Sequence, residues 1–306
     1  MDAGHTTDFH ERRAAIVSRA TELAGSGRSV LISALPDIRW ATGFSGSNAL
    51  LVLLGEQAHL LTDGRYTAQV AQEAVGCAAH IVSGSLLNHA CDQLIPPGSQ
   101  VIVQPEHLTL SQFDGAVEAS TSAQLAWERL PDLVQPLRAS KSAGEVDAIT
   151  AAQRLTERVF DDLTGLIVPG ITELDLAAEI TYRHLRAGAA RMSFDPIVAF
   201  GENAALPHGR PSARELRRGD PILVDMGCFL NGYASDMTRM FSLGHPGADF
   251  MAAYQTVLDA LNRAADAARS GMSSSALDGV ARDVIASAGL GDSFSHSLGH
   301  GVGLEI

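Results

Sequence analysis

The chain has 306 residues, 46% hydrophobic and 19% charged. That composition excludes intrinsic disorder and leaves material for one large domain or two ordinary ones. Basic residues number 22 against 35 acidic ones, for a net charge of −13, and Lys141 is the only lysine, so recognition of nucleic acid through a broad basic face is excluded.

The opening segment, MDAGHTTDFHERR, is polar and charged, unlike a secretory leader. The longest apolar run, Ala49 to Leu54, is far short of the roughly 20 residues a membrane span needs. A cytoplasmic protein with no membrane partner is expected. Phe9, Ile16, Ala20 and Leu23 mark one face of a first helix, ended by Gly25 and Gly27. Strands follow at SVLIS, NALLVLL, AHLLT, AHIV and QVIVQ, with helical stretches near 65–75, 85–95 and 110–119. This is an α/β domain, expected over residues 1–138, and the two prolines of PDLVQPLRAS close it.

A second domain is expected over 139–306. Ser142 and Glu145 stand in capping-box spacing, and Val146, Ile149, Gln153, Val159, Phe160, Leu163 and Ile167 trace an apolar stripe with one polar interruption. Pro169-Gly170 stops that helix. Thr172 opens another, with Leu174, Ala177, Ala178, Thr181 and Leu185 as its apolar face and Gly188 at its end. Strands and loops are expected over 193–244, then helices near 249–270 and 275–288.

The segment Pro221 to Phe241, PILVDMGCFLNGYASDMTRMF, has two alternating apolar runs around Asn231-Gly232, the dipeptide of a two-residue hairpin turn. With those residues as the loop, Leu230 faces Tyr233, Asp225 faces Thr238 and Asp236 faces Gly227. Asp225 and Asp236 then share a face as diagonal neighbours about 7–8 Å apart at the backbone, a separation from which both could reach a pair of metal ions. An aspartate interrupting ILV-D-MG is costly unless it is paired, hydrogen-bonded or metal-bound; an ion pair with Arg239 is the alternative use.

In HSLGHGVGLEI, from His296 to Ile306, Gly299, Gly301 and Gly303 argue against a helix, so a glycine-rich turn or strand is expected. His300, between two glycines, could present an open imidazole to a metal or serve as a hydrogen-bonded core histidine. His208 lies on a loop between Pro207 and Gly209. Cys77, Cys91 and Cys228 are scattered, with no Cys-x-x-Cys pair, which leaves neither a disulfide framework nor a zinc knuckle. GFSGSN is no dinucleotide fingerprint, because it opens into a strand.

Together these segments resemble the creatinase, prolidase and aminopeptidase P family. LPDIRWATGFSGSNALLV and LLTDGRYTAQV are similar to its N-terminal domain. SFDPIVAFGENAALPHG, LVDMGCFLNGYASDMTR and HSLGHGVGLEI are similar to three ordered motifs of its catalytic domain. The resemblance implies a creatinase-like α/β N-domain followed by an α+β pita-bread domain. It implies an Xaa-Pro dipeptidase or Xaa-Pro aminopeptidase acting through a hydroxide bridged by two divalent metals, Mn²⁺ foremost, with Co²⁺, Fe²⁺ or Zn²⁺ as alternatives. Residue by residue, Asp225, Asp236 and His300 match metal ligands, Asp236 bridging both ions. His208 matches a histidine that contacts substrate, and His296 one that borders the pocket for the residue after the scissile bond. The implied partners are a small peptide with proline after the scissile bond and a second copy of the chain in a homodimer. The family pattern continues past Ile306 with a further histidine motif and two glutamate ligands. The pita-bread domain is therefore expected to be incomplete at its C-terminus, in a fragment lacking about 60 residues. The competing expectation is an inactive peptidase-like binding module or relic.

Overall fold

The computed structural model describes residues 3–206 and 209–306. The chain divides into two units, Met1–Lys141 and Ser142–Ile306. No helix among the described residues is long and apolar enough to cross a membrane.

The first unit is a six-stranded sheet built from β1 (Ser29–Ile32), β2 (Ala49–Leu54), β3 (Gln57–Thr62), β4 (Ala78–Ile81), β5 (Gln100–Val103) and β6 (Ala126–Arg129). Their order is β4-β3-β2-β1-β5-β6. β2 runs antiparallel to both neighbours and the remaining pairs are parallel. The five apolar runs in the sequence became strands; four of them, β1, β2, β3 and β5, are central and largely buried, as unbroken apolar segments favour, while AHIV forms the mostly exposed edge strand β4. β6 carries no such signal: AWER sits at an edge and buries none of its side chains fully.

Among the described residues this unit carries the α-helices α1 (Ala3–Ala24), α2 (Leu35–Thr42), α3 (Thr67–Glu73), α4 (Leu86–His89), α5 (Leu110–Ala119) and α6 (Gln135–Ala139). The expected α1 face is right at Ile16 and Ala20, which are buried, and wrong at Leu23, which is exposed. Arg13 is buried on α1 instead, its guanidinium donating to the carbonyls of Ala41 and Val75. α2 was not expected from the sequence pattern. It begins with a proline in its first turn and ends at Gly43, whose φ of 83° is left-handed. Its Asp37 is fully buried against Arg138 at 2.7 Å.

The second unit starts with α7 (Ala143–Leu163) and α8 (Glu173–Arg186), both opened by complete capping boxes, Ser142 with Glu145 and Thr172 with Asp175. Two three-stranded antiparallel sheets follow. One comprises β7 (Arg191–Met192), β10 (Cys228–Leu230) and β11 (Tyr233–Ala234); the other comprises β8 (Ile197–Phe200), β9 (Pro221–Met226) and β12 (Met237–Ser242). Their core joins Leu155, Val159, Leu176, Ile180, Val198, Phe200, Val224 and Met226. The expected face of α8 is rotated, and that of α7 holds in part. The expected α7 face is right at Val159 and Leu163, which are buried, and wrong at Val146, which is exposed; α7 also buries Leu155 and Thr156, while on α8 Leu174 and Leu185 are exposed and Glu173, Leu176, Ile180 and His184 are buried. The buried polar groups of that face find hydrogen-bond partners, which removes the penalty that keeps such residues outside. α9 (Ala248–Ala267) and α10 (Ser274–Ser287) share a small core of their own at Ala260, Ala264, Ala281 and Ile285.

Candidate metal centre

The Asn231-Gly232 hairpin has the register its turn dictates: Leu230 opposite Tyr233, and Asp225 opposite Thr238. Asn231 takes a φ of 52° and Gly232 one of 88°, the left-handed pair a two-residue turn demands. The hairpin is not one ladder, however. It breaks at Gly227 on one leg and at Ser235-Asp236 on the other, so its tip joins one sheet and its base the other. The crossing is tight at Gly227, where a Cβ would lie 2.0 Å from the Ser235 carbonyl oxygen and 3.2 Å from the Asp236 Cα. Only glycine fits there.

Asp225, on β9, points into this bend. One of its carboxylate oxygens, Oδ1, is buried and has no hydrogen-bond partner. Burial pushes the Asp225 carboxyl above the ordinary aspartate range, and the Asp236 charge beside it pushes the same way; the Thr238 hydroxyl, His300 and the Met226 amide partly offset them. Arg239, the alternative partner, turns to the Thr238 carbonyl at 2.9 Å.

His300 lies on the C-terminal loop, which runs beside β11 through a bond from the Ala234 N–H to the Gly303 carbonyl at 2.8 Å. Its Nδ1 sits 3.1 Å from the Gly301 carbonyl, and its Nε2 faces Asp236 Oδ2 at 3.4 Å. Asp225, Asp236 and His300 therefore share one neighbourhood, but they do not converge on one point. No group of three or more His, Cys, Asp or Glu among the described residues is arranged to hold a metal ion. The donor chemistry nonetheless fits a divalent cation: hard carboxylate oxygens, one of them buried and unpartnered, beside an imidazole nitrogen.

The side-chain contacts of His296 are local. Its ring packs edge-on against Phe294 at 4.9 Å and its Nδ1 meets the Ser297 carbonyl at 2.7 Å. His208 lies outside the described residues. The loop that leads to it is tethered by Glu173, which accepts from the Phe200 amide at 2.7 Å and the Ser212 hydroxyl at 2.6 Å.

Several groups that shape the site were missed in the sequence. Asp278 and Arg282 on α10 hold the segment before His300: Asp278 Oδ1 accepts from the Leu298 amide at 2.8 Å, and Arg282 donates to the Phe294 and His296 carbonyls at 2.9 and 3.0 Å. Their i, i+4 spacing was the available signal. A cleft of about 330 Å³ opens beside Asp236, lined by Gln153, Arg154, Glu157 and Val302 among others.

Comparison with known proteins agrees with this architecture. Residues 147–306 match metallopeptidase family M24, and residues 20–140 match the creatinase/prolidase N-terminal domain. An Xaa-Pro dipeptidase of Pyrococcus furiosus is 38% identical over 180 residues, 59% of this chain and 52% of that protein, so the match spans about half that relative's length. The solved structure of an Xaa-Pro dipeptidase from Bacillus anthracis is similar with a TM-score of 0.91 at 29% identity, covering 97% of this chain and 83% of that one. An X-Pro aminopeptidase from Thermotoga maritima gives a TM-score of 0.84 at 33% identity, over 94% and 83% of the two chains. The chain belongs to metallopeptidase family M24, with a creatinase/prolidase N-terminal domain ahead of a pita-bread domain.

Proposed function

We propose that this protein is a metal-dependent exopeptidase that hydrolyses the peptide bond preceding proline. The observation that carries the proposal is the buried, unpartnered Asp225 oxygen beside Asp236 and His300. An unsatisfied buried carboxylate next to a second negative charge is unfavourable by itself and becomes favourable when a cation is held there. The names of the relatives supply the substrate class.

Asp225, Asp236 and His300 are the ligands in this proposal, and Mn²⁺ is the first ion to test. A divalent ion held there lowers the pKa of a bound water and polarises the scissile carbonyl. The Gly301 carbonyl lies 3.1 Å from His300 Nδ1, on the side of the ring away from Nε2, which faces Asp236. His208 and His296 are assigned to the substrate side, where an imidazole can donate to the developing oxyanion and pass protons to the leaving amine. Proline's tertiary amide and fixed φ make the bond before it a poor substrate for general peptidases, which gives a dedicated enzyme its place.

The test is hydrolysis of Ala-Pro and of a longer peptide with proline second, each with Mn²⁺ and with a chelator. Metal-dependent cleavage is expected. Cleavage of the dipeptide alone identifies a dipeptidase, and cleavage of the longer peptide an aminopeptidase. Failure to cleave either with metal bound overturns the proposal, and tight peptide binding without turnover favours the binding-module alternative.

A further inference from the structure

One buried titratable group takes no part in the chemistry above. His184 is fully buried in the last turn of α8. Its Nδ1 lies 2.8 Å from the Ile180 carbonyl and its Nε2 lies 3.2 Å from Thr156 Oγ1. A carbonyl can only accept, so Nδ1 carries the proton and Nε2 accepts from the Thr156 hydroxyl. Burial pushes the imidazole pKa down, which keeps the ring neutral and this direction in place. Thr156 Oγ1, its own proton spent on His184, is 2.7 Å from Ser235 Oγ and accepts from it. The Cys228 carbonyl competes for that proton at a longer 3.2 Å. Ser235 Oγ in turn accepts from the Cys228 amide at 3.0 Å.

The backbone of Ser235 is held as firmly. Its N–H donates to the Cys228 carbonyl at 2.9 Å, and its own carbonyl accepts from the Ser193 hydroxyl at 2.9 Å. The residue after it is Asp236. The β10–β11 pairing stops at Ala234 and the β9–β12 pairing begins at Met237, so no regular strand pairing includes Asp236. A threonine in a helix interior ordinarily returns its hydroxyl to its own helix; the Thr156 hydroxyl instead joins α8 to the connection between β11 and β12.

We propose that His184, Thr156 and Ser235 are positioning residues, a directed hydrogen-bond chain that sets the backbone of Asp236 and so its carboxylate beside Asp225 and His300. The inference rests on the assignment of Asp236 as a metal ligand. If burial were the chain's only purpose, apolar residues of the same shape would serve as well.

Thr156→Val keeps the side-chain shape and removes the hydroxyl. Amide hydrogen exchange, read without metal or substrate, is expected to speed up at Cys228 and Ser235, whose N–H groups donate to the Ser235 hydroxyl and the Cys228 carbonyl, at least about tenfold more than at Val198 and Val224 in the adjoining sheet. Thr156→Ser is expected to restore the slow exchange. Mn²⁺ affinity, measured by the electron spin resonance of the free ion, is expected to fall at least about tenfold in Thr156→Val, as for other groups that orient ligands. Should Thr156→Val fail to fold, Ser235→Ala carries the same comparison. Exchange that rises equally at all four amides, or Mn²⁺ affinity equal to that of the unaltered protein, overturns the proposal. Selective loosening with weakened Mn²⁺ binding, in a protein that cleaves no Xaa-Pro bond, supports the positioning chain and removes the peptidase assignment alone.

Discussion

Glu173 and Asp225 are both acidic side chains carried on regular elements of the second unit, and their surroundings differ in how many donors reach them. Glu173 is fully buried, yet each oxygen is saturated: Oε1 accepts from the Phe200 amide at 2.7 Å and the Asn203 side chain at 3.0 Å, and Oε2 from the Ser212 amide and hydroxyl at 2.9 and 2.6 Å. Asp225 keeps a buried oxygen with no partner and faces a second carboxylate. The first arrangement holds a loop in place and has no capacity left for a ligand. The second carries an unmet electrostatic demand, which costs stability unless something outside the chain meets it. Burial alone does not mark a functional carboxylate; the count of donors around it does.

Substitutions can break or sharpen that contrast. The largest expected effect is on activity: Asp225→Asn should lower metal-dependent Xaa-Pro cleavage by more than about 100-fold, beyond what loss of an outer-shell group costs. The same variant should leave the metal-free unfolding free energy within about 1 kcal/mol of the original, because no hydrogen bond to Oδ1 is lost. Kinetics and denaturant titration read the two arms, and a large stability loss in Asp225→Asn would make Asp225 a structural residue like Glu173. Glu173→Ala should do the reverse, costing about 3–5 kcal/mol in a denaturant titration by stranding the buried donors of Phe200, Asn203 and Ser212. A loss under about 1 kcal/mol would mean that water satisfies those donors equally well.

Gly227→Ala is expected to cost less, about 1–3 kcal/mol, because its methyl group must push apart two strands at a backbone carbonyl. It should also lower activity by moving Asp236, so unchanged kinetics would show that the bend is not what places the ligand. The smallest effect is on pH dependence. Burial lowers the His184 pKa from its ordinary 6.5, outweighing the Ile180 carbonyl bond that raises it. Its contribution to stability is therefore complete above 6.5 and lost as pH falls through the lower folded value. Unfolding free energies followed downward from 6.5 should decline more steeply in the original protein than in His184→Gln, and parallel curves would remove His184 as the source.

Local features of this protein were legible in the sequence because their causes are local. Asn231-Gly232 sets the turn, the turn sets the register, and the register places Asp225 opposite Thr238. Ser142 with Glu145 starts α7 by the same short-range logic, and four of the five apolar runs of the first unit became its central strands, the fifth its β4 edge. The three catalytic-domain motifs were legible as well, since each is a contiguous stretch whose residue types carry the family resemblance. What only the tertiary structure decided are matters of partnership. Leucine content at 174 and 185 suggested one face of α8, but the buried face holds Glu173 and His184, because their donors and acceptors come from residues 200–212 and 156. The split of the hairpin between two sheets, and the bond from Thr156 to Ser235 across 79 positions of sequence, have no periodic signature. Whether a polar side chain is buried depends on whether distant residues arrive to satisfy it; the sequence names the group, and the assembled fold decides what it touches.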